Sequence, residues 1–340
     1  MEVLITGGNG LLGRHLVTAL HDRGQKVRVL MLPGENDVWL QDRGVAVYEG
    51  DTRRPETLTE PIRGVGAILH LAGMSGVWEP VEAYRAVNLT GTINVCKEAL
   101  AARVRKIVHI SSWTVYGIGL GKSVREDFLL RPFDDPSSIT KAAGDLAVQR
   151  MITDDDLPAV ILRPGTFIGP GDHLHFGRIA DRLLAREAVV VGPGDNALPL
   201  VYVDDVVRGV LLALDDQNAV GQAYNISCDQ PLTQQQLLDA VAEDIGATPP
   251  SVHIPCNVLY LAALAAERLA LASGTKPALT RLGVQLFGTD NRHAIDKARR
   301  QLGYRPVTPL RDAVRLTAAW YLRQRAEGAH VGGGLAETPT

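Results

Sequence analysis

Short apolar runs along the chain alternate with stretches whose apolar residues recur at helical spacing. Glu2–Thr6 is a run of β-branched and aliphatic residues, and after a turn at Gly7, Gly8, Asn9 and Gly10 the period changes. Leu12, Leu16, Ala19 and Leu20 then share one helical face, and Gly24 closes the segment. The same reading predicts further strands over residues 27–31, 45–48, 67–71, 106–111 and 159–163, and helices over 83–102 and 137–152. Strands alternating with helices predict an α/β fold, a doubly wound parallel sheet covered on both faces, with a ligand at the carboxyl ends of the strands. Beyond Pro164, Pro and Gly punctuate 164–171 and 192–199, and helices dominate from Asp204 to Arg325. The expected division is a first domain mainly over 1–165 and a smaller C-terminal lobe mainly over 166–326. Some lobe segments are expected to return to the first core, and 327–340, rich in Gly and polar residues, is expected to be a flexible tail.

Composition removes several function classes. The 340 residues are 46% hydrophobic and 21% charged with net charge -3, which supports a folded core and provides no field for nucleic acid or an anionic membrane. The uncharged run at 254–266 is too short to span a bilayer comfortably and is expected to be a buried helix, so no membrane partner is expected. Cys96, Cys228 and Cys256 form no metal-type pair, no metal site is expected, and their spacing suits a reducing compartment. Glu2 precedes the first apolar run and the glycine turn interrupts it, unlike a secretory signal, so a cytoplasmic location is expected.

Gly8, Gly10 and Gly13 satisfy G-x-G-x-x-G at a strand-to-helix junction. One glycine suits the tight turn, one the approach of a pyrophosphate to the backbone, and one the close packing of helix on strand. The helix N-terminus adds amide donors for phosphate. An acid at the end of the second strand would bind the ribose 2′-hydroxyl, but Met31, Leu32 and Pro33 stand there. That lack tilts the expectation slightly from NAD(H) toward NADP(H). Arg28 alternates with Val27 and Val29 and is expected to point outward.

Nine segments together resemble landmarks of the extended short-chain dehydrogenase/reductases: TGGNGLLG at 6–13, GDTR at 50–53, HLAG at 70–73, VNLTGTINV at 87–95, SSWTVYG at 111–117, LRPGTFIGPGD at 162–172, VYVDDVVRG at 201–209, YNIS at 224–227 and LGYRP at 302–306. Within that family the chain is similar to the branch of 3β-hydroxysteroid dehydrogenases, dihydroflavonol reductases and NAD-dependent epimerases and dehydratases. The resemblance implies a Rossmann domain binding NAD(P)H, with a small-molecule substrate and, as is common in the family, a homodimer. It implies cofactor contacts from Gly7, Gly8, Asn9, Gly10, Leu11, Leu12 and Gly13 on the loop, Leu32 by the ribose, and Asp51 and Thr52 by the adenine. Leu71, Ala72, Gly73, Asn88, Ser111, Lys141, Arg163, Pro164 and Gly165 are implied nearer the nicotinamide.

The same resemblance places Ser112 and Lys141 in catalytic positions, but the family's Tyr, four residues before the Lys, is Ser137 here, in FDDPSSITK. A phenol titrates near 10 and is tuned by a nearby ammonium, whereas an aliphatic hydroxyl is no titrating acid in water. Ser137 is therefore expected to be inert, a residue at a helix start after Pro136. Tyr116, the pair Asp134 and Asp135, His173 and His175, and the substrate itself through a neighbouring phenol are the candidate proton sources, with the substrate favoured. Met74, Val77, Trp78, Trp113, Tyr116, Phe167, His173, His175 and Phe176 are expected to line a wall for a flat aromatic or polycyclic ligand. The reading that follows is an NAD(P)H-dependent ketoreductase of specialised metabolism, acting on an aromatic or polyketide-like carbonyl as in antibiotic biosynthesis. Its alternatives are a sugar-nucleotide epimerase or dehydratase with tightly bound cofactor, and a non-catalytic cofactor sensor.

Overall fold

The computed structural model describes residues 1–328, so the predicted tail lies, from residue 329 onward, outside the described residues. Seven parallel strands form one sheet: β1 (Glu2–Thr6), β2 (Lys26–Met31), β3 (Ala46–Glu49), β4 (Ala67–His70), β5 (Lys106–Ile110), β6 (Ala159–Pro164) and β7 (Ala223–Ile226). Their order is β7-β6-β5-β4-β1-β2-β3, all pairs parallel, so the winding reverses between β1 and β4. That switch point is where a doubly wound sheet opens a crevice for a ligand. Every residue of β4, β5 and β6 is buried, which explains their nearly continuous apolar character.

Helices cover both faces. On one face, α1 (Leu11–Asp22) sets Leu12, Leu16 and Leu20 into a core shared with Val206, Val210 and Leu214. On the other, α2 (Thr92–Ala101) and α3 (Pro136–Asp154) contribute Val95, Ala99, Val148 and Met151. The predicted helix over 83–102 is broken by a π-helical turn at Ala86–Gly91, and Asn88 sits in it. At this turn a Cβ on Gly144 of α3 would lie 2.3 Å from the Asn88 carbonyl oxygen, so the two segments meet at backbone distance. Widened turns of this kind recur at functional sites.

The remaining helices are α4 (Val203–Asp215), α5 (Gln234–Ile245), α6 (Cys256–Ser273), α7 (Arg281–Gly288) and α8 (Leu310–Ala326), besides shorter ones. The run at 254–266 needs correction, because α6 is mostly exposed rather than buried. Only Ala263, Glu267 and Ala270 are buried, while Leu261 and Leu269 are 65% and 70% exposed. Its alanines and leucines are spread around the helix instead of forming a stripe, and the narrow seam to α7 is held by Glu267, which accepts from Arg281 Nε at 2.6 Å and the Arg281 amide at 2.7 Å. By length and composition alone, α6 is long and apolar enough to cross a membrane.

Candidate active site

The glycine loop is shaped by close approach. Gly7 has φ +73°, and a Cβ there would meet the Ala72 amide nitrogen at 2.9 Å. A Cβ on Gly13 would lie 2.4 Å from Gly7 O and 2.6 Å from Gly8 Cα, so only glycine lets α1 seat on the turn. Gly10 caps α1 without a side-chain acceptor, which leaves first-turn amides facing the end of β1. This cradle fits a pyrophosphate. Nearby, Asp51 is held by Arg53, whose Nε lies 2.8 Å from Oδ2, and Asn94 donates to Thr52 O at 2.9 Å. Burial would raise the Asp51 carboxyl, but hydrogen bonds from Arg53 hold it below its ordinary value.

Asn88 fastens three elements together. Its Oδ1 accepts from the Met74 amide at 2.7 Å, and its Nδ2 donates to Met74 O at 3.0 Å and to Thr140 Oγ1 at 2.9 Å. The loop after β4 is thus tied to the π turn and to α3. Lys141, the next residue of α3 after Thr140, faces a tight cavity of about 10 Å³ lined with Ala72, Asn88, Thr92, His109 and Ser111. A Cβ on Gly73 would lie 2.8 Å from Lys141 Nζ, so the loop passes directly over the ammonium. Desolvation brings the Lys141 pKa down to about 8.

Two histidines form the floor of this region, and the sequence pattern did not single them out. His70 shares hydrogen bonds with Thr6 Oγ1 at 2.8 Å and Thr92 Oγ1 at 3.0 Å, and its ring stacks on His109 with centroids 5.4 Å apart. Burial holds both below the ordinary histidine value, His109 at about 4, so both are neutral at pH 7. Among the described residues the buried His109 Nδ1 has no hydrogen-bond partner, which leaves one polar atom in this cavity to be satisfied.

Ser112 and Ser137 have different surroundings. Ser112 Oγ accepts from the Thr114 amide at 3.2 Å and pairs with Thr114 Oγ1 at 2.9 Å, capping a short turn just after β5. Ser137 lies in the first turn of α3, is 8% exposed, and donates to Met74 O at 3.4 Å. The cap of that helix is Asp135, accepting from the Ser138 amide at 2.8 Å, while Asp134 faces Arg281 at 3.6 Å. Both carboxylates therefore have structural partners.

Several residues expected in the site are engaged in contacts with other parts of the chain. Arg163 is fully engaged: Nε and Nη2 each lie 2.8 Å from an oxygen of Asp145, and Nη1 donates to Tyr116 Oη at 2.8 Å. Ser111 Oγ donates to the same Asp145 at 2.6 Å. Tyr116 is buried and donates to Asn225 Oδ1 at 2.8 Å, and burial, opposed by Arg163, pushes its pKa up to about 12. As a proton source or wall residue it is corrected to a core residue. Trp113 and Phe176 are likewise buried, the first donating to Thr166 Oγ1 at 3.1 Å and the second packing on Tyr321. Their aromatic surface satisfies the core first, which apolar content alone does not distinguish from a ligand wall. His173 is exposed and packs edge-on against Trp320 of α8, and His175 sits 3.5 Å from Asp172. Met74, Val77, Trp78 and Phe167 remain half-buried, and the loop carrying the first three meets Leu174, whose Cδ2 would be 2.8 Å from a Cβ on Gly76. Leu71 and Ala72 are pinned to Thr6 O and Thr6 Oγ1 through their amides, at 3.1 and 3.2 Å. Gly165, next to Pro164 at the end of β6, has no room for a Cβ, which would meet Pro199 O at 2.5 Å. Leu32 stays half-buried just past β2.

A switch-point crevice with a glycine cradle on one side and a desolvated lysine on the other defines an NAD(P)-binding enzyme of the oxidoreductase or epimerase class. The chain belongs to the NAD dependent epimerase/dehydratase family, whose sequence model matches residues 3–227. It is 30% identical over 332 residues to a 2-alkyl-3-oxoalkanoate reductase of Stenotrophomonas maltophilia, covering 93% of this chain and 98% of that one. A 3 beta-hydroxysteroid dehydrogenase/Delta 5-->4-isomerase of Mycobacterium tuberculosis is 28% identical, with 94% and 90% covered. The solved UDP-glucose 4-epimerase of Thermus thermophilus in complex with NAD superposes with TM-score 0.75 at 26% identity, covering 95% of this chain and 99% of that one.

Proposed function

We propose that the protein is an NAD(P)H-dependent ketoreductase acting on an aromatic or polyketide-like carbonyl, with residues 166–326 supplying most of the substrate lobe. The observation that carries this is Ser137. Its hydroxyl is bound to Met74 O, so the first turn of α3 offers neither a phenol acid nor a phenolate base. That loss weighs unequally on the two directions of carbonyl chemistry. Oxidising an alcohol requires a base to take its proton as hydride leaves. Reducing a ketone leaves an alkoxide, which takes a proton from water or from a phenol on the substrate itself. A bound nicotinamide supplies the hydride. Ser112 orients the carbonyl oxygen or a neighbouring hydroxyl, Lys141 holds the ribose, and Asn88 keeps the Met74 loop closed over both. Met74, Val77, Trp78 and Phe167 provide apolar surface for a flat ligand.

The second reading is a sugar-nucleotide epimerase or dehydratase that keeps its cofactor bound. The family description and the likeness to sugar-nucleotide epimerases favour it more than they favour ketone reduction. The full-length similarity to a 2-alkyl-3-oxoalkanoate reductase and the serine at 137 support the first. Purified protein assayed with NADPH and quinone-type aromatic ketones decides between them. Loss of nicotinamide absorbance is expected. Tight cofactor binding without turnover of any such ketone, together with conversion of a UDP-hexose, would establish the second reading instead.

A further inference from the structure

A pair of cations stands on the adenosine side of the glycine loop, away from the reacting end. Arg14, the first residue after Gly13, donates from Nη2 to Asn9 Oδ1 at 2.5 Å and from Nε to Asn9 O at 3.1 Å. Trp39, on the short helix Val38–Gln41 that follows β2, donates from Nε1 to the same Asn9 Oδ1 at 3.1 Å. Arg14 lies 4.8 Å from the centre of the Trp39 ring, and Arg43 lies 5.7 Å from it while donating to Trp39 O at 3.0 Å. Two guanidiniums are therefore held on one indole that is itself tied to the glycine loop through Asn9. Among the described residues neither has a carboxylate within salt-bridge distance. Burial, and then the charge of Arg43, lowers the pKa of Arg14, as expected where two cations meet without an anion.

The arrangement costs electrostatic energy in the free protein, and a dianion would relieve it. Planar guanidiniums offer forked N–H edges that match phosphate oxygens, and stacking on Trp39 holds their flat faces while leaving those edges available. The end of β2 is where a doubly wound dinucleotide site meets the adenosine ribose. No acid stands at Met31, Leu32 or Pro33 to bind a 2′-hydroxyl or repel a phosphate, and Asp37, further along the rim, accepts from Gln41 Nε2 at 2.7 Å. Resting on the nicotinamide-dinucleotide reading above, we propose that Arg14 and Arg43, braced by Trp39 and Asn9, form the seat of the 2′-phosphate and select NADP(H) over NAD(H).

Direct binding tests this without turnover. The full chain is titrated calorimetrically with NADPH and with NADH, and the titrations are repeated for Arg14→Ala, Arg43→Ala and the milder Arg43→Gln. The wild type is expected to bind NADPH at least about tenfold more tightly than NADH, the scale of one charge-assisted hydrogen bond. Each variant should lose most of that advantage while its NADH affinity changes by less than about threefold, and raising salt should narrow the wild-type gap. Thermal unfolding of each variant confirms that these exposed positions leave the fold intact. Equal wild-type affinities, or variants that weaken both cofactors alike, overturn the seat and leave the enzyme class standing. Binding of neither dinucleotide overturns the dinucleotide reading itself.

Discussion

Replacing Lys141 with Met should make the free protein more stable and a poorer cofactor binder, and the stability gain should vanish at high pH. The lysine titrates at about 8 in the folded chain because its ammonium is desolvated, whereas an unfolded lysine titrates near 10.4. Below pH 8 both states carry the proton, and the folded state bears the full cost of the buried charge. Between those two values the unfolded chain binds more protons than the folded one, so stability rises with pH. At 1.36 kcal/mol per pH unit the displacement sets an upper limit of roughly 3 kcal/mol, and residual solvent contact lowers the expectation to about 1–3 kcal/mol. Methionine fills similar space without charge. Urea unfolding at pH 7 should therefore show the variant more stable by that amount, with the difference closing by pH 10.5. Cofactor affinity should move the other way, falling about 10–100-fold at pH 7 with the loss of a charged donor. In the wild type it should decline as pH rises through 8. A variant less stable than wild type at pH 7, or a stability difference indifferent to pH, would refute the reasoning.

Other consequences follow from contacts at named atoms. Gly13→Ala places a Cβ against backbone at 2.4 Å, which cannot yield as a side chain can. It should cost about 1–3 kcal/mol in urea unfolding and abolish measurable dinucleotide binding, and an unchanged midpoint would sink the close-packing account. Asp145→Ala leaves the buried Arg163 guanidinium without its bidentate partner and should cost about 3–5 kcal/mol. Arg163 holds the Asp145 carboxyl below its ordinary value against the opposing effect of burial. The wild type's advantage should thus be present above the unfolded aspartate pKa of about 3.9 and shrink as pH falls through the lower folded value. Ser137→Tyr should raise kcat on simple aromatic ketones, which lack a phenol of their own. No gain on these substrates, in a folded variant that binds cofactor, would count against the proton-source argument.

The nucleotide half was legible because its signals are local. A strand ending in spaced glycines and opening a helix carries its reason in adjacent residues, and β1 and α1 agree with it closely. The π turn was not legible, since it sits where the helix meets Gly144, far along the chain, at backbone distance. Arg163, Tyr116 and Asp145 show the same limit. A polar residue at a strand end reads as a ligand contact until a distant carboxylate is found to satisfy it. His109 carried no pattern at all, because one polar residue in an apolar strand is as compatible with a satisfied core as with a pocket. Trp39, Arg14 and Arg43 carry no local signal, because Trp39 sits on a short helix after β2 and its link to the glycine loop, through Asn9, is made only in the fold.

The charge states around Lys141 bear on the direction of chemistry. With a pKa of about 8, its ammonium is about ten to one protonated at pH 7, while His70 and His109 are neutral and, with burial against them, poor at gaining charge. Such a cavity can release a proton more readily than it can accept one. On the proposed reading, an alkoxide formed by ketone reduction meets a positive field, and its proton arrives from substrate or water. An alcohol awaiting oxidation meets no competent base until Lys141 loses its proton, which pushes that direction above pH 8. On the ketoreductase reading proposed above, desolvation of one lysine and a serine at 137 together favour reduction at neutral pH. A tyrosine at 137 would restore an acid and base usable in both directions, and with it the reversibility that an epimerase needs.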